Sequence, residues 1–302
     1  MFPREGGRVK PAVFSYLDPR TLEEALGALA DHGDDASVLA GGQSLVPLLN
    51  MRLARPEVVV DVNRVPGLDA LRVDAGAVRV GALVRAAAVE RDPAVAGALP
   101  VLAEAVRHIA HPQIRSRTTI GGNIAHADPS SELPAVLAAV DGAVVLRSAE
   151  EERTVGWEEF FVSVFTTARE PEELVTEVVF PVRPELEFRW VEFARHHGDF
   201  PVAGVCLGLS LADGAVRQAR LAATGVGDRP LRLREVEAAL TGSVLGPETA
   251  REAGELAGRA VDPPSDVHGS GDFRRAILAT LVRRTIESWP GQAQRGRKGA
   301  AA

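Results

Sequence analysis

Two glycine doublets constrain this chain more than any other feature of its sequence. Each stands between an apolar run and a segment of helical periodicity: "VLAGGQSLVPLLNMRL" from Val38 to Leu53, and "TTIGGNIAHADPSSELPAVLAA" from Thr118 to Ala139. Glycine adopts positive φ without a Cβ penalty and lets backbone N–H groups approach a ligand, so paired doublets suit an oxyanion. Ser44 stands where a side chain can cap a helix starting at Leu45, which would turn the positive end of that helix towards the loop. Thr119 and Asn123 add side-chain hydrogen-bonding groups beside the second doublet. Two such loops fit a diphosphate gripped by peptide groups from both sides, whereas a tight turn accounts for either doublet alone. Neither doublet is followed by Lys-Ser or Lys-Thr, as a P-loop requires, and "GVGDRP" near Gly225 lacks the third glycine of a dinucleotide fingerprint.

The 302 residues suggest two domains, and the patterning divides them into an N-terminal region and a C-terminal module. Leu22, Ala25, Leu26 and Leu29 repeat at helical spacing, "ASVLA" and "EVVVDV" read as strands, and Leu45–Met51 as a short helix or turn. A second block runs from the strand "GAVRVGALV" through helical segments 85–91 and 100–110. It continues with a glycine loop, a helix over 132–140, a strand over 143–147, and "ELVTEVVFPV". Pro181 and Pro184 mark a linker. Beyond it come "FRWVEFARH", "PVAGVCLGLSL" and "AVRQARLAA", three strands at hairpin spacing. Helices are expected over 231–240, 247–261 and 272–289, the last with Phe273, Ile277 and Leu281 on its apolar face and Arg274 and Arg283 facing away. Strands followed by helices make an α+β module. The expected boundaries are 10–183, with subdomains of about 10–66 and 67–183, then 186–289, then a disordered tail over 290–302.

Composition removes several classes of function. A net charge of −7 argues against a nucleic-acid footprint, since phosphate neutralisation needs clustered Lys and Arg. One cysteine, Cys206, neither forms an internal disulfide nor ligates an iron–sulfur cluster that needs four thiolates, and in an apolar strand it reads as an inert core thiol. The N-terminus lacks the apolar core of a secretory signal and no apolar run is long enough to span a bilayer, so a cytoplasmic location is expected.

The two glycine stretches, extended to "VLAGGQSLVPLLNMRLARPEVVVDVNRV" and "HPQIRSRTTIGGNIAHADPSSELPAVLAA", resemble the flavin-binding signatures of the molybdenum hydroxylase FAD subunits. That family includes the medium subunit of aerobic carbon monoxide dehydrogenase and the flavin domain of xanthine dehydrogenase. "RHHGDFPVAGVCLGLSL" is similar to the first hairpin of its C-terminal domain, so the resemblance covers nearly the whole chain. It implies a vanillyl-alcohol-oxidase/PCMH-type fold: two α+β subdomains clasping FAD, then a three-stranded antiparallel sheet with a three-helix bundle.

On this resemblance Ala40, Gly41, Gly42, Gln43, Ser44 and Leu45 belong to the first diphosphate loop, and Thr119, Ile120, Gly121, Gly122 and Asn123 to the second. Glu132 falls where relatives use an acidic residue, usually Asp, to hold ribose or adenine-side hydroxyls. His126 and Ser131 fall on neighbouring cofactor-lining positions, and Ile109 on an apolar position near the flavin. Phe200 matches a residue against the isoalloxazine ring, with Asp199 beside it. Gln43 stands where the carbon monoxide enzymes often carry His, which argues against that substrate. The resemblance further implies non-covalent FAD, a molybdopterin-binding large subunit, a small subunit with two [2Fe-2S] clusters, and a dimer of heterotrimers. NAD⁺, a quinone or another acceptor would take the electrons, and no residue of this chain would be catalytic towards the organic substrate. A self-contained flavin oxidoreductase of the same fold, or an assembly subunit without cofactor, are the competing readings.

His108 and His111 have metal-binding spacing, but no acidic or thiol partner follows closely and Pro112 ends the helix, so they read as surface or packing residues. His196 and His197 beside Gly198-Asp199 suit either a flavin-influencing role or an exposed strand end. Pro129 argues against one helix spanning Asp128 and Glu132, leaving Asp128 for capping and nucleotide contact.

Overall fold

The computed structural model describes residues 10–74 and 76–290; beyond Pro290 the expected tail lies outside the described residues. The first subdomain is built on a three-stranded parallel sheet, with Val58–Asp61 between Ser15–Leu17 and Ala36–Leu39. Val58, Val59 and Val60 are all buried, as the β-branched run of a central parallel strand should be. The helix Leu22–His32 starts at Thr21, whose Oγ1 accepts from the Glu24 N–H at 3.1 Å. It buries Ala25, Leu26 and Leu29 against the sheet, each leucine contributing about 2 kcal/mol.

The second subdomain carries a five-stranded antiparallel sheet in the order Leu71–Val73, Ala77–Gly81, Leu174–Pro181, Ala143–Arg147, Glu152–Gly156. Its middle strand is therefore the last of the five in the chain. The helices fall between Ala86 and Ala139, apart from the single turn Trp157–Phe160. They include Ile120–His126, where a glycine loop was expected, and Pro93–Ala98, which the sequence reading missed. The helix Glu132–Ala139 is buried at all eight positions, so its apolar residues form a sleeve rather than a stripe.

In the C-terminal module Glu187–Phe193, Ala203–Ala212 and Ala215–Thr224 pair as expected, and a two-residue fourth strand, Leu231–Arg232, extends the three-stranded sheet. That strand takes the residues expected to open a helix, which begins instead at Arg234. Helices Pro247–Arg259 and Gly271–Glu287 complete the bundle. The last helix is turned from its expected orientation. Arg274, Leu278, Val282, Thr285 and Ile286 are buried, while Phe273 is 42% exposed. Arg274 tolerates burial because Nη1 donates to the carbonyls of Val202 and Gly225, both at 2.8 Å, and Nη2 to Asp266 at 2.7 Å. Arg274→Leu orphans both carbonyls and is expected to cost about 3 kcal/mol, read as a lower urea midpoint at unchanged slope.

The module docks on the second subdomain through polar and apolar contacts together. Thr224 Oγ1 lies within hydrogen-bond distance of the carbonyls of Pro129 (2.7 Å) and Ser131 (2.8 Å), which share its one O–H, and Arg232 Nη1 donates to the Ala138 carbonyl (2.9 Å) and Asp141 (2.7 Å). Trp190, Cys206 and Ala222 enter the core of the second subdomain, and burial pushes the Cys206 thiol up, leaving it inert. This docking holds the hairpin loop before Ala203 over the glycine segments.

Candidate functional site

A cavity of about 500 Å³ opens where the three units meet. The first subdomain supplies Ala36–Val38 and Ala40–Leu45; the second supplies Thr118, Thr119, Gly121–Asn123, His126 and Glu132; the C-terminal module supplies Gly198–Phe200. Both doublets thus face one cleft, and two glycines are required by close approach. A Cβ on Gly41 would stand 2.4 Å from the Arg117 carbonyl oxygen, and one on Gly121 would stand 2.5 Å from the Ala82 Cβ. Gly42 has φ +74°, which carries the chain from strand Ala36–Leu39 into helix Leu45–Asn50.

The amides of the two doublets are not equivalent. Those of Gly41, Gly42, Gln43, Ser44 and Leu45 have no hydrogen-bond partner among the described residues, and all five residues line the cavity. Those of the second doublet are occupied. Ile120 N donates to the Val84 carbonyl (2.9 Å), Gly121 N to Ala82 (3.0 Å), Gly122 N to Thr119 Oγ1 (3.2 Å) and Asn123 N to the Thr119 carbonyl (3.0 Å). The expectation of two open peptide loops is corrected on this point. The segment 120–123 is the first turn of a helix whose entry pairs with residues 84–86, and Thr119 is spent as its cap. Ser44 does not cap: its backbone is already helical (φ −103°, ψ −50°), where a capping residue is extended, and its side chain makes no cap bond. Gln43 Nε2 donates to the Gly41 carbonyl at 3.1 Å, stiffening the first loop.

Fifteen of the seventeen residues expected at the site line the cavity; Ile120 and Ser131 do not. Both are buried behind the wall, where Ser131 Oγ donates to Asn123 Oδ1 at 2.9 Å, so Asn123 is oriented by a neighbour rather than left open. Asp128 Oδ1 accepts from Ser130 N at 2.8 Å, closing the turn before helix Glu132–Ala139. Glu132 is 3% exposed, and burial pushes its carboxyl up to about 8. Burial holds half-buried His126 below the usual histidine range, and its ring stacks on Phe165 with centroids 4.9 Å apart. Phe200 is 63% exposed, and His196 Nδ1 lies 3.1 Å from Asp199 Oδ2 on the open side of the same loop. His108 pairs with Glu192 across the domain boundary (3.1 Å), and the His111 ring packs on Gly198.

Sequence reasoning missed the opposite wall: Leu68, Ala82, Leu83, Arg169, Leu174 and Val175. These come together because the strand Leu174–Pro181 inserts beside Ala77–Gly81, a pairing with no local signal. Arg169 is largely buried there, its Nη1 donating to the carbonyls of Glu170, Pro171 and Glu173.

Residues 12–183 match the family described as the FAD binding domain in molybdopterin dehydrogenase, and residues 189–289 match the CO dehydrogenase flavoprotein C-terminal domain. The chain belongs to this FAD-subunit family. It is similar to the 6-hydroxypseudooxynicotine dehydrogenase complex subunit alpha of Paenarthrobacter nicotinovorans, at 42% identity over 92% of this chain and 95% of that one. It is 33% identical to the carbon monoxide dehydrogenase medium chain of Hydrogenophaga pseudoflava, over 92% and 97% of the two chains. Among solved structures, quinoline 2-oxidoreductase from Pseudomonas putida 86 superposes with a TM-score of 0.88 at 36% identity, covering 92% of this chain and 96% of that one. The protein is thus the FAD-binding flavoprotein subunit of an oxidoreductase, with the α+β architecture expected from its signatures. The cavity fits that cofactor: five free amides in sequence suit a diphosphate, and apolar walls on either side suit the two ring systems. Among the described residues no helix is long and apolar enough to cross a membrane, and no group of three or more His, Cys, Asp or Glu is placed to hold a metal ion.

Proposed function

We propose that this FAD subunit is the electron relay of a three-subunit molybdenum hydroxylase. In that complex it links the [2Fe-2S] clusters of a small subunit, fed by a molybdopterin-binding large subunit, to an external acceptor such as NAD⁺ or a quinone. A dimer of heterotrimers in the cytoplasm is the assembly this reading entails. The observation that carries it is the run of unpartnered amides from Gly41 to Leu45 inside the three-walled cavity. The single buried cysteine supports the division of labour, because this chain cannot ligate a cluster of its own.

FAD, when bound, supplies the conversion between one-electron and two-electron transfer that links clusters to such an acceptor. In this reading the Gly41–Leu45 amides receive the diphosphate, while Gly121, Gly122 and Asn123 form the facing wall and set its width. Ile120 and Ser131 support that wall from behind. Glu132 meets a sugar hydroxyl, and Ile109, Leu83, Leu174 and Val175 keep water from the rings. Phe200, with Asp199 beside it and His126 across the cavity, shields the isoalloxazine at the exposed end, where a redox group must meet its partners.

The chain expressed alone is expected to purify yellow and to release free FAD into the supernatant on acid precipitation. A colourless chain that takes up no flavin would refute the reading, and flavin remaining with the precipitate would refute non-covalent binding. Expressed with its neighbouring subunits, it should co-purify with two further chains. Turnover of an organic donor by the isolated chain would favour a self-contained oxidoreductase instead.

A further inference from the structure

The free amides bind a diphosphate only if they stand at the right distance from the helix that begins at Ile120. Among the described residues no hydrogen bond runs directly from residues 40–45 to residues 117–123. The connection is made by two side chains outside the cavity lining, Asn63 and Arg85. Asn63 follows the central strand of the first subdomain, and its Nδ2 donates to the Ala40 carbonyl at 2.8 Å. Arg85 lies in the second subdomain. Its Nη2 donates to Asn63 Oδ1 at 2.6 Å and its Nη1 to the Arg117 carbonyl at 2.7 Å. The backbone of Arg85 pairs with Thr119, so the guanidinium is anchored to the second glycine segment and reaches for the first. Asn63 is itself held, since Asp61 Oδ1 accepts from its N–H at 2.9 Å and from its Nδ2 at 2.6 Å, and Tyr16 donates to Asp61 Oδ2. Burial and the neighbouring Arg117 lower the Arg85 pKa from a value so high that the charge persists.

We infer that Asn63 and Arg85 are a latch between the subdomains, joining the carbonyl before Gly41 to the carbonyl before Thr118 and so fixing the width of the FAD cleft. Both are positioning residues, and the inference rests on the reading of the cavity as an FAD site. The forked guanidinium is essential, because one group must donate to two acceptors in different subdomains. The two side chains act in series, so removing either opens the latch fully.

The test measures FAD dissociation from the full chain by stopped-flow exchange against excess apo-glucose oxidase, an FAD-specific trap. Asn63→Leu and Arg85→Leu are each expected to speed dissociation by roughly tenfold or more, the loss of one charge-assisted bond. The double variant should be no faster than either single one. Arg85→Lys should recover only part of the slow rate, since an ammonium keeps the charge but not the fork. Unchanged rates, or single effects that multiply in the double variant, overturn the latch. If Arg85→Leu does not fold, Arg85→Lys carries the test, and a wild-type rate there overturns it. A wild-type chain that binds no FAD would refute the site but not the latch. The latch would then be read from proteolysis within residues 40–45 of the apoprotein, faster in the variants if it exists and unchanged if it does not.

Discussion

A Gly41→Val chain is expected to purify without FAD. The added Cβ would meet the Arg117 carbonyl oxygen at 2.4 Å and the Thr119 nitrogen at 3.1 Å, both backbone atoms that cannot rotate aside. Relief requires the two glycine segments to part, which dismantles the proposed diphosphate cradle and costs about 1–3 kcal/mol of stability in addition. Gly27→Ala is the matched control. It lies in helix Leu22–His32 with nothing within 4 Å of its added Cβ, and should leave FAD content unchanged while raising stability by up to about 1 kcal/mol. The flavin-to-protein ratio and the urea midpoint together check both. Stoichiometric FAD in Gly41→Val would show that contact between the segments is not what forms the site.

The second large effect concerns pH and Glu132. In the unfolded chain this carboxyl titrates near 4.5, and in the folded chain burial places it near 8. Between those values the unfolded chain has lost a proton that the folded chain keeps. Stability is therefore complete below about 4.5 and falls as pH rises towards about 8, beyond which this contribution is flat. The gap sets an upper bound of roughly 5 kcal/mol on the loss. Glu132→Gln keeps the shape and removes the titration, so the difference in unfolding free energy between the two apoproteins should widen in the variant's favour across that window. Parallel pH profiles for the two chains would mean that Glu132 is ionised when folded, and hydrated or paired.

Much of the site was legible because it rests on residues whose chemistry is local. Doublets flanked by apolar runs point to close backbone approach wherever they occur, and Gly41 and Gly121 bear that out against Arg117 and Ala82. What the doublets do with their amides is not local. Ile120 and Gly121 lost theirs to carbonyls at positions 84 and 82, on a stretch whose proximity follows from tertiary packing. Ser44 looked like a cap because serine favours that role, but φ and ψ at the position decide the matter, and Gly42 had already turned the chain. The apolar face read for the last helix, Phe273, Ile277 and Leu281, is not its fully buried one. Its orientation brings Arg274 to two buried carbonyls, at Val202 and Gly225, a tertiary contact with no local signal. Arg169 and Arg85 carried no motif at all; their placement follows only once Leu174–Pro181 and the 84–86 segment have found their partners.

The middle strand of the second sheet has a consequence for how the protein is made. Leu174–Pro181 slots between two strands that leave the ribosome earlier, and the cavity's outermost wall, Gly198–Phe200, emerges later still. A nascent chain thus has the Gly41–Leu45 segment long before it has the compartment that this segment lines. The cavity closes only after most of the polypeptide has been made, and the long-range pairing makes that closure a slow event.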